Sequence, residues 1–247
     1  MLKLKVIACD VFKREISYLS SLSECFVDVT YLCQGLHSTP DELRNMLQKE
    51  IDKVEEDGFP YNHFGKNPSY DFIILGYGLC SNSIVGLKSK SIPLIVPKAH
   101  DCTTLLLGSR ELYNKYFSEG EGGVYWYSAG WIDCSMQPGK ERYTETLKGY
   151  VEKYGEDNAE YLMEMEQNWF NEYGTAAFIN WKCLENSERY RTYSKECAEY
   201  LNWKYLEIEG DTSLMSDILN GKFDDNVVIV SPEKEIKASH DDEIIGF

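Results

Sequence analysis

Short apolar runs that alternate with amphipathic segments are the feature that most limits how this chain can fold. Three of these runs, "LKLKVIACDV", "YDFIILGYGLC" and "IPLIVPKAH", are predominantly apolar, which is typical of parallel strands buried on both faces. The clearest helical segment is "HSTPDELRNMLQKEIDKVEED", with Ser38 or Thr39 as its cap and Pro40 in its first turn. This alternation predicts an α/β fold, namely a three-layer, mostly parallel, Rossmann-like sheet with helices on both faces.

The order of the predicted elements also bears on domain organisation. Residues 1–235 are expected to form a single α/β domain, and residues 236–247 a flexible tail. The order strand, helix, strand, helix, strand occurs twice, so the domain could also consist of two βαβαβ halves. These halves would be about residues 1–135 and 174–232, linked by the helical residues 140–173.

The chain is strongly acidic, with 25 Lys and Arg against 41 Asp and Glu and a net charge of −16. Such a surface repels phosphate backbones and anionic lipids, so we expect it to bind neither nucleic acid nor membranes. No apolar run approaches the roughly 20 residues of a membrane helix. The first residues are typical of a strand rather than of a signal peptide, and the protein is therefore expected to be cytoplasmic.

The chain has eight cysteines but no CxxC pair. In a cytosolic protein of this size, they are better explained as buried thiols, metal ligands or reactive groups than as a disulfide framework. Six of them end predicted strands or follow them closely, whereas Cys25 and Cys197 do not; the six are Cys9, Cys33, Cys80, Cys102, Cys134 and Cys183.

Ligands of open α/β sheets bind beyond the carboxyl ends of the strands, where these cysteines are expected to lie. Thiolate and imidazole are good ligands of zinc, and thiolates hold iron–sulfur clusters. The candidate metal ligands are therefore Cys80, Cys102, Cys9, His100 and Cys134. A plain structural role remains the alternative for each cysteine, because cysteine is often buried without any special function.

The stretch "HDC" at residues 100–102 brings three reactive side chains together where a strand meets a helix. A helix that begins at Cys102 is expected to lower the pKa of its thiol. Asp101 could cap that helix or orient His100. The candidate catalytic residues are His100, Asp101 and, in the "LHSTP" segment, His37. A metal-free alternative has Cys102 as nucleophile and His100 as its base.

The chain resembles the prokaryotic family called domain of unknown function 1638. The resemblance rests on "VIACDVFKREI", "QGLHSTPDEL", "YDFIILGYGLCSNSIVGL", "IPLIVPKAHDCTTLLLGS" and "YSAGWID", in that order along most of the chain. Cys134 lies just outside the matching segments. The resemblance implies contact with a cofactor or substrate for Gly78, Asn82 and Trp131, which fall at matching positions.

The resemblance also implies a metabolic context. Members of this family look common in anaerobic bacteria and archaea, and some look associated with corrinoid-dependent methyl-transfer systems. The resemblance thereby implies a corrinoid protein or methyltransferase as partner. The residues and the resemblance together predict an enzyme with a thiolate-held zinc ion or [4Fe–4S] cluster that acts on a small molecule, in methyl-group or sulfur chemistry. The alternative is an accessory protein that binds a corrinoid, a metal or a substrate without turnover.

Overall fold

The structure is a computed structural model that describes residues 1–60, 69–119, 123–185, 187–239 and 244–247. The chain divides into two compact units. The first unit consists of Met1–Arg110 and Asp211–Phe247, and the second consists of Glu111–Gly210. The predicted boundaries of a single domain stay a prediction, but the strands do not group into the two halves that an internal duplication would produce.

The first unit contains a five-stranded sheet in the order β2-β1-β3-β4-β8. Strands β1 to β4 run parallel, and β8 pairs antiparallel with β4 at one edge. The strands are β1 Lys3–Cys9, β2 Phe26–Leu32, β3 Phe72–Gly76, β4 Leu94–Pro97 and β8 Val227–Val230. The α/β class and the mostly parallel sheet predicted from the apolar runs are confirmed.

Helices surround this sheet because its strands bury both faces. On one face, Ile7 and Leu75 pack in a core cluster with Leu47 of α2. On the opposite face, Val6 and Ile16 line a small apolar cavity together with residues of α3 and α9. Adjacent residues of β1 thus face opposite sides, as the pleat of a strand requires. The helices of this unit are α1 Lys13–Leu22, α2 Pro40–Asp57, α3 Cys102–Leu107 and α9 Ser213–Leu219.

Helix α2 begins as its sequence predicts. Pro40 is at the first helical position, and Thr39 is the N-cap residue. The hydroxyl of Thr39 lies 3.1 Å from the Glu42 carboxylate, and it does not accept from a helix amide. The helix is therefore stabilised mainly by the packing of its apolar stripe against the core. Leu43 and Leu47 of this stripe are at most 2% exposed.

The second unit contains a parallel three-stranded sheet in the order β5-β6-β7, with β5 Gly123–Tyr127, β6 Tyr173–Asn180 and β7 Lys204–Glu209. Its helices are α4 Arg110–Glu119, α5 Ala129–Cys134, α6 Lys140–Tyr154, α7 Glu156–Gln167 and α8 Ser187–Leu201. Strand β5 ends at Tyr127, and Trp131 lies beyond it in helix α5. The break in the long helical segment occurs at Gly155, which has a φ of +81°.

The end of the chain differs from the flexible tail that its sequence predicted. Ile236 and Ile245 are at most 1% exposed and belong to the core cluster of the first unit. Strands β9 Lys237–Ala238 and β10 Ile245–Gly246 pair antiparallel. Residues 240–243 lie outside the described residues. The prediction is wrong for the described part of this segment, since three buried isoleucines anchor it, namely Ile236, Ile244 and Ile245.

None of the helices in the described part of the chain has the length and apolar character needed to cross a bilayer.

Glu55 of α2 closes the loop before β4 and provides a test of this fold. Its carboxylate accepts hydrogen bonds from the backbone amides of Lys90, Ser91 and Ile92, the shortest being 2.6 Å from the Ser91 nitrogen. We expect Glu55→Gln to lower the free energy of unfolding by about 1–2 kcal/mol, since the charged acceptor is lost. Denaturant unfolding measures the loss, and Glu56→Gln, at an exposed neighbouring position, is the control that should change little.

The contribution of Glu55 should also depend on pH. Burial alone would raise the pKa of Glu55, but the backbone hydrogen bonds lower it below its ordinary value of 4.5. The stabilisation is therefore complete above pH 4.5 and disappears as the pH falls through the lowered pKa. The difference in stability between the wild type and Glu55→Gln should shrink over the same range; a difference that stays constant would contradict this assignment.

Candidate functional site

The candidate site lies at the carboxyl edge of the first sheet, where the strand order reverses. From β1 the chain passes outward to β2 and then returns to β3 on the other side of β1. Ligands of open α/β sheets bind at such a switch point. Ala8 pairs with Gly76, so Cys9 and Tyr77 are the next residues along these two neighbouring strands. Cys9 and Tyr77 thus flank the switch point.

Two backbone hydrogen bonds join the segment after β3 to the segment after β4. The amide of Leu79 donates to the Ala99 carbonyl at 2.8 Å, and the amide of Cys80 donates to the His100 carbonyl at 3.0 Å. Gly78 allows this close approach, because a Cβ atom there would lie 2.7 Å from the Asp101 nitrogen. The segment "GYGLC" is therefore held against "AHDC", and Gly78 has a packing role besides any contact with a ligand.

A left-handed turn follows at Cys80, Ser81 and Asn82, whose φ values are 46°, 57° and 64°. Non-glycine residues are disfavoured in this region by roughly 1–2 kcal/mol each. The guanidinium of Arg44 donates to the carbonyl of Asn82 at 2.9 Å, which helps to hold the turn. Strained backbone of this kind often occurs at functional sites. Ser81 and Asn82 are exposed, so this turn presents their side chains to solvent.

The thiols of Cys9, Cys80 and Cys102 are close enough to influence one another electrostatically. Burial raises the pKa of Cys9 and Cys80 to about 12. Burial, followed by the neighbouring Cys80, Asp101 and Cys9, raises the pKa of Cys102 well above its ordinary value. The prediction that the helix start lowers the pKa of Cys102 is wrong, because the burial of the thiol outweighs the dipole of a six-residue helix. All three thiols are neutral near pH 7.

Asp101 caps α3. One of its carboxylate oxygens accepts from the Thr104 amide at 3.1 Å and lies 3.3 Å from the Thr104 hydroxyl. Of the two roles predicted for Asp101, capping is therefore the one that the structure shows. This cap fixes the first turn of α3, on which Cys102 is the first residue.

Removal of this cap should weaken α3. We expect Asp101→Ala to lower the free energy of unfolding by about 1 kcal/mol, because the Thr104 amide loses its acceptor. Asp101→Asn keeps an acceptor oxygen and should lose only part of this amount. Thermal unfolding of the two variants tests the assignment, and equal destabilisation by Ala and Asn would contradict it.

The remaining predicted site residues are placed differently. His100 and His37 are exposed, and His37 lies in a short 3-10 turn at Leu36–Ser38. Trp131 and Cys134 belong to the second unit, where Trp131 lies within helix α5 and Cys134 ends it. The first unit by itself therefore gathers the thiols of Cys9, Cys80 and Cys102, and not the whole predicted set.

The donor chemistry of these three thiols fits a soft metal ion, because thiolates bind zinc and iron–sulfur clusters. However, among the residues that the structure describes, no three His, Cys, Asp or Glu side chains are positioned to hold one metal ion together. The predicted ligands Cys80, Cys102, Cys9, His100 and Cys134 do not form a preformed centre. Metal binding at the three thiols would require their side chains to rotate or the turn at Cys80 to shift.

Two residues beside this site were not singled out in the sequence. Tyr77 is 3% exposed, and its hydroxyl has no hydrogen-bond partner in the described part of the chain. An unpaired buried hydroxyl costs about 1–3 kcal/mol. Arg44 holds the left-handed turn from α2. Tyr77 could have been recognised as a candidate from its position in "GYGLC", directly after a buried strand. Nothing in the sequence indicates that Arg44 contacts the turn at Asn82.

Three further cysteines are placed as follows. Cys197 is 5% exposed in the core of the second unit, beside Tyr127. Cys25 directly precedes β2, at the amino edge of the first sheet. Cys33 is exposed and follows β2 at the carboxyl edge of the first sheet, where its thiol is one of the groups that raise the pKa of Tyr77.

Comparison with known proteins identifies the family. Residues 31–219 match the family described as protein of unknown function (DUF1638), and the chain belongs to that family. The resemblance noted in the sequence is confirmed. No curated protein and no solved structure matches the chain.

Proposed function

We propose that the protein binds a zinc ion or an iron–sulfur cluster through Cys9, Cys80 and Cys102 and uses it to act on a small molecule at the switch point. The observation that carries the proposal is the convergence of these thiols, from the ends of three adjacent strands, at the edge where ligands of such sheets bind.

The electrostatics of the thiols support a cation as their partner. Each of the three would be destabilised as a thiolate by burial, and the pKa of Cys102 is raised further by Cys80 and Cys9. A bound cation reverses this effect, because it stabilises the thiolates and displaces their protons. We therefore expect metal affinity to rise with pH as long as the thiols remain protonated in the free protein.

The chemistry of such a centre follows from its ligand number. Three protein ligands leave one position of a zinc ion or one iron of a cluster open to a small molecule. Methyl-group or sulfur chemistry, with a corrinoid protein or methyltransferase as partner, remains part of the proposal on the strength of the family resemblance. The switch point between β1 and β3 would receive the small molecule.

The metal-free alternative has less support from the geometry. A nucleophilic cysteine needs a lowered pKa or an adjacent base. Burial instead raises the pKa of Cys102, and His100 is exposed. A cation at the thiols removes this difficulty without requiring His100 as a base.

Differential alkylation tests the proposal. Protein purified without oxygen is treated with a thiol reagent, with and without added zinc or after reconstitution with iron and sulfide, and the labelled cysteines are identified by mass spectrometry. We expect Cys9, Cys80 and Cys102 to be protected together by the metal, while the partly exposed Cys25, at the opposite edge of the sheet, reacts equally in all samples. Equal labelling of the three thiols with and without each metal would overturn the proposal.

A further inference from the structure

Helix α7 of the second unit exposes one complete face to solvent. Its opposite face is buried through Ala159 and Met163, which are at most 2% exposed. Residues four apart are neighbours on a helix surface. The exposed face has two such rows, side by side, and all six of their residues are exposed: Glu156, Glu160 and Glu164 in one row, and Asp157, Tyr161 and Met165 in the other. These six residues form one continuous surface, which we call the α7 face.

Two large apolar side chains lie next to each other on the α7 face. Tyr161 is 63% exposed and Met165 is 54% exposed. Single exposed apolar residues are common on protein surfaces, whereas adjacent ones form a patch that often marks an interaction site. Tyrosine and methionine are also enriched in protein interfaces. The pair therefore indicates a binding surface rather than a face that only meets solvent.

The charges of α7 are of one sign. The helix has five carboxylates and no lysine, arginine or histidine, whereas α6 of the same unit mixes both signs. Glu166 lies outside the α7 face and pairs with Arg142 and Tyr150. The four carboxylates of the face have no hydrogen bond or ion pair within the described part of the chain.

This arrangement is unfavourable for the helix by itself. Glu160 has like charges four residues away on both sides, at Glu156 and Glu164, and such pairs destabilise a helix. Glu164 also lies in the last turn, where the helix dipole favours a cation. Positive charge supplied by a partner would relieve both effects.

We propose that the α7 face is the docking surface for a protein partner whose own surface carries lysine or arginine around an apolar centre. The cations would neutralise the row of glutamates, and the apolar centre would cover Tyr161 and Met165. A second copy of this chain does not fit, because a symmetric dimer pairs identical surfaces and the α7 face has no cation. A single helix of 12 residues offers a small area, so we expect a transient complex. The proposal is independent of the thiol site.

A synthetic amphipathic helix of leucine and lysine is the probe for this surface. The full chain is mixed with the peptide at low salt, and a carbodiimide then joins peptide lysines to the protein carboxylates that they contact. We expect mass spectrometry to find the cross-links concentrated at Glu156, Glu160 and Glu164. Cross-links spread over the exposed carboxylates of the other helices would overturn the proposal.

Substitutions on the α7 face separate its apolar part from its charge. We expect Tyr161→Ala to weaken peptide binding at least about tenfold, measured by fluorescence anisotropy, because buried tyrosines often dominate interfaces. An affinity equal to that of the wild type would contradict the docking surface.

The charge is tested by the double variant Glu160→Gln with Glu164→Gln, which should bind the peptide more weakly and with a smaller dependence on salt. Its matched control is Glu141→Gln with Glu145→Gln, which removes the same charge at the same spacing from exposed positions of α6. The control should bind like the wild type. An equal loss in the two double variants would mean that the peptide senses only net charge, and the proposal would fail.

Self-association is checked with the same variants. We expect sedimentation velocity to give the same oligomeric state for the wild type and for Tyr161→Ala without peptide. A dimer that Tyr161→Ala dissociates would replace the basic partner with a second copy of the chain.

Discussion

Replacement of Cys80 with serine is expected to lower the affinity for zinc or cadmium by at least about 100-fold. Loss of a group that only supports a metal ligand costs about 10- to 100-fold, so loss of a thiolate ligand should cost no less. Serine keeps the size of the side chain and exchanges the sulfur for an oxygen, which these soft ions bind less well. Competition titration with a chromophoric chelator under anaerobic conditions measures the change.

Cys25→Ser is the control for this experiment. Cys25 belongs to the same unit and is also partly exposed, but it precedes β2 at the opposite edge of the sheet. Its replacement should leave metal affinity unchanged. An equal loss in both variants would indicate general damage to the fold, and an unchanged affinity in Cys80→Ser would remove Cys80 from the site.

Replacement of Gly78 with alanine should be the most destabilising small change at the site. The added Cβ would lie 2.7 Å from the Asp101 nitrogen, 2.8 Å from the Ala99 oxygen and 2.9 Å from the Asp101 Cα. All three are backbone atoms, so no side-chain rotation relieves the clash. We expect a loss of about 2–3 kcal/mol in the free energy of unfolding, and a decrease of roughly 4–12 °C in the unfolding temperature.

The same substitution should also impair metal binding in the molecules that remain folded. The clash forces the segment after β3 away from the segment after β4, and these segments carry Cys80 and Cys102. Gly246→Ala is the control for stability, since no atom lies within 4 Å of its added Cβ. A Gly78→Ala protein with wild-type stability and wild-type metal affinity would contradict the close packing of these two segments.

The parts of the fold that depend on local patterns could be predicted from the sequence. The three apolar runs became the parallel strands β1, β3 and β4, and Asp101 caps the helix that begins at Cys102. These features follow from the burial of strands and from helix capping, both of which depend on residues that are close together in the sequence. The same reasoning placed Cys9 and Cys80 at one edge of the sheet, because parallel strands end on the same side.

The parts that depend on distant contacts could not be predicted. The run "NVVIV" has the pattern of a strand, but pairing with β4 in an antiparallel sense is decided by tertiary packing. The burial of Ile236 and Ile245 likewise cannot be recognised from the sequence, because the C-terminal segment around them is polar. The raised pKa of Cys102 reflects the burial of its thiol, which a local helix-dipole argument does not include.

The break between α3 and α4 coincides with a glycine. Gly108 has a φ of +72°, and a Cβ there would lie 2.5 Å from the Asp211 carbonyl oxygen. A glycine near the end of six helical residues is a common helix stop. Residues with helical character continue on both sides of Gly108, so the local pattern does not by itself require a break.

The most direct test of the metal site is the X-ray absorption spectrum of the metal in protein purified or reconstituted without oxygen. We expect sulfur neighbours at about 2.3 Å from the metal. We also expect the sulfur contribution to decrease in Cys80→Ser and to stay unchanged in Cys25→Ser. A metal with only nitrogen and oxygen neighbours, or a protein that takes up neither zinc nor iron and sulfide on reconstitution, would contradict the thiolate site.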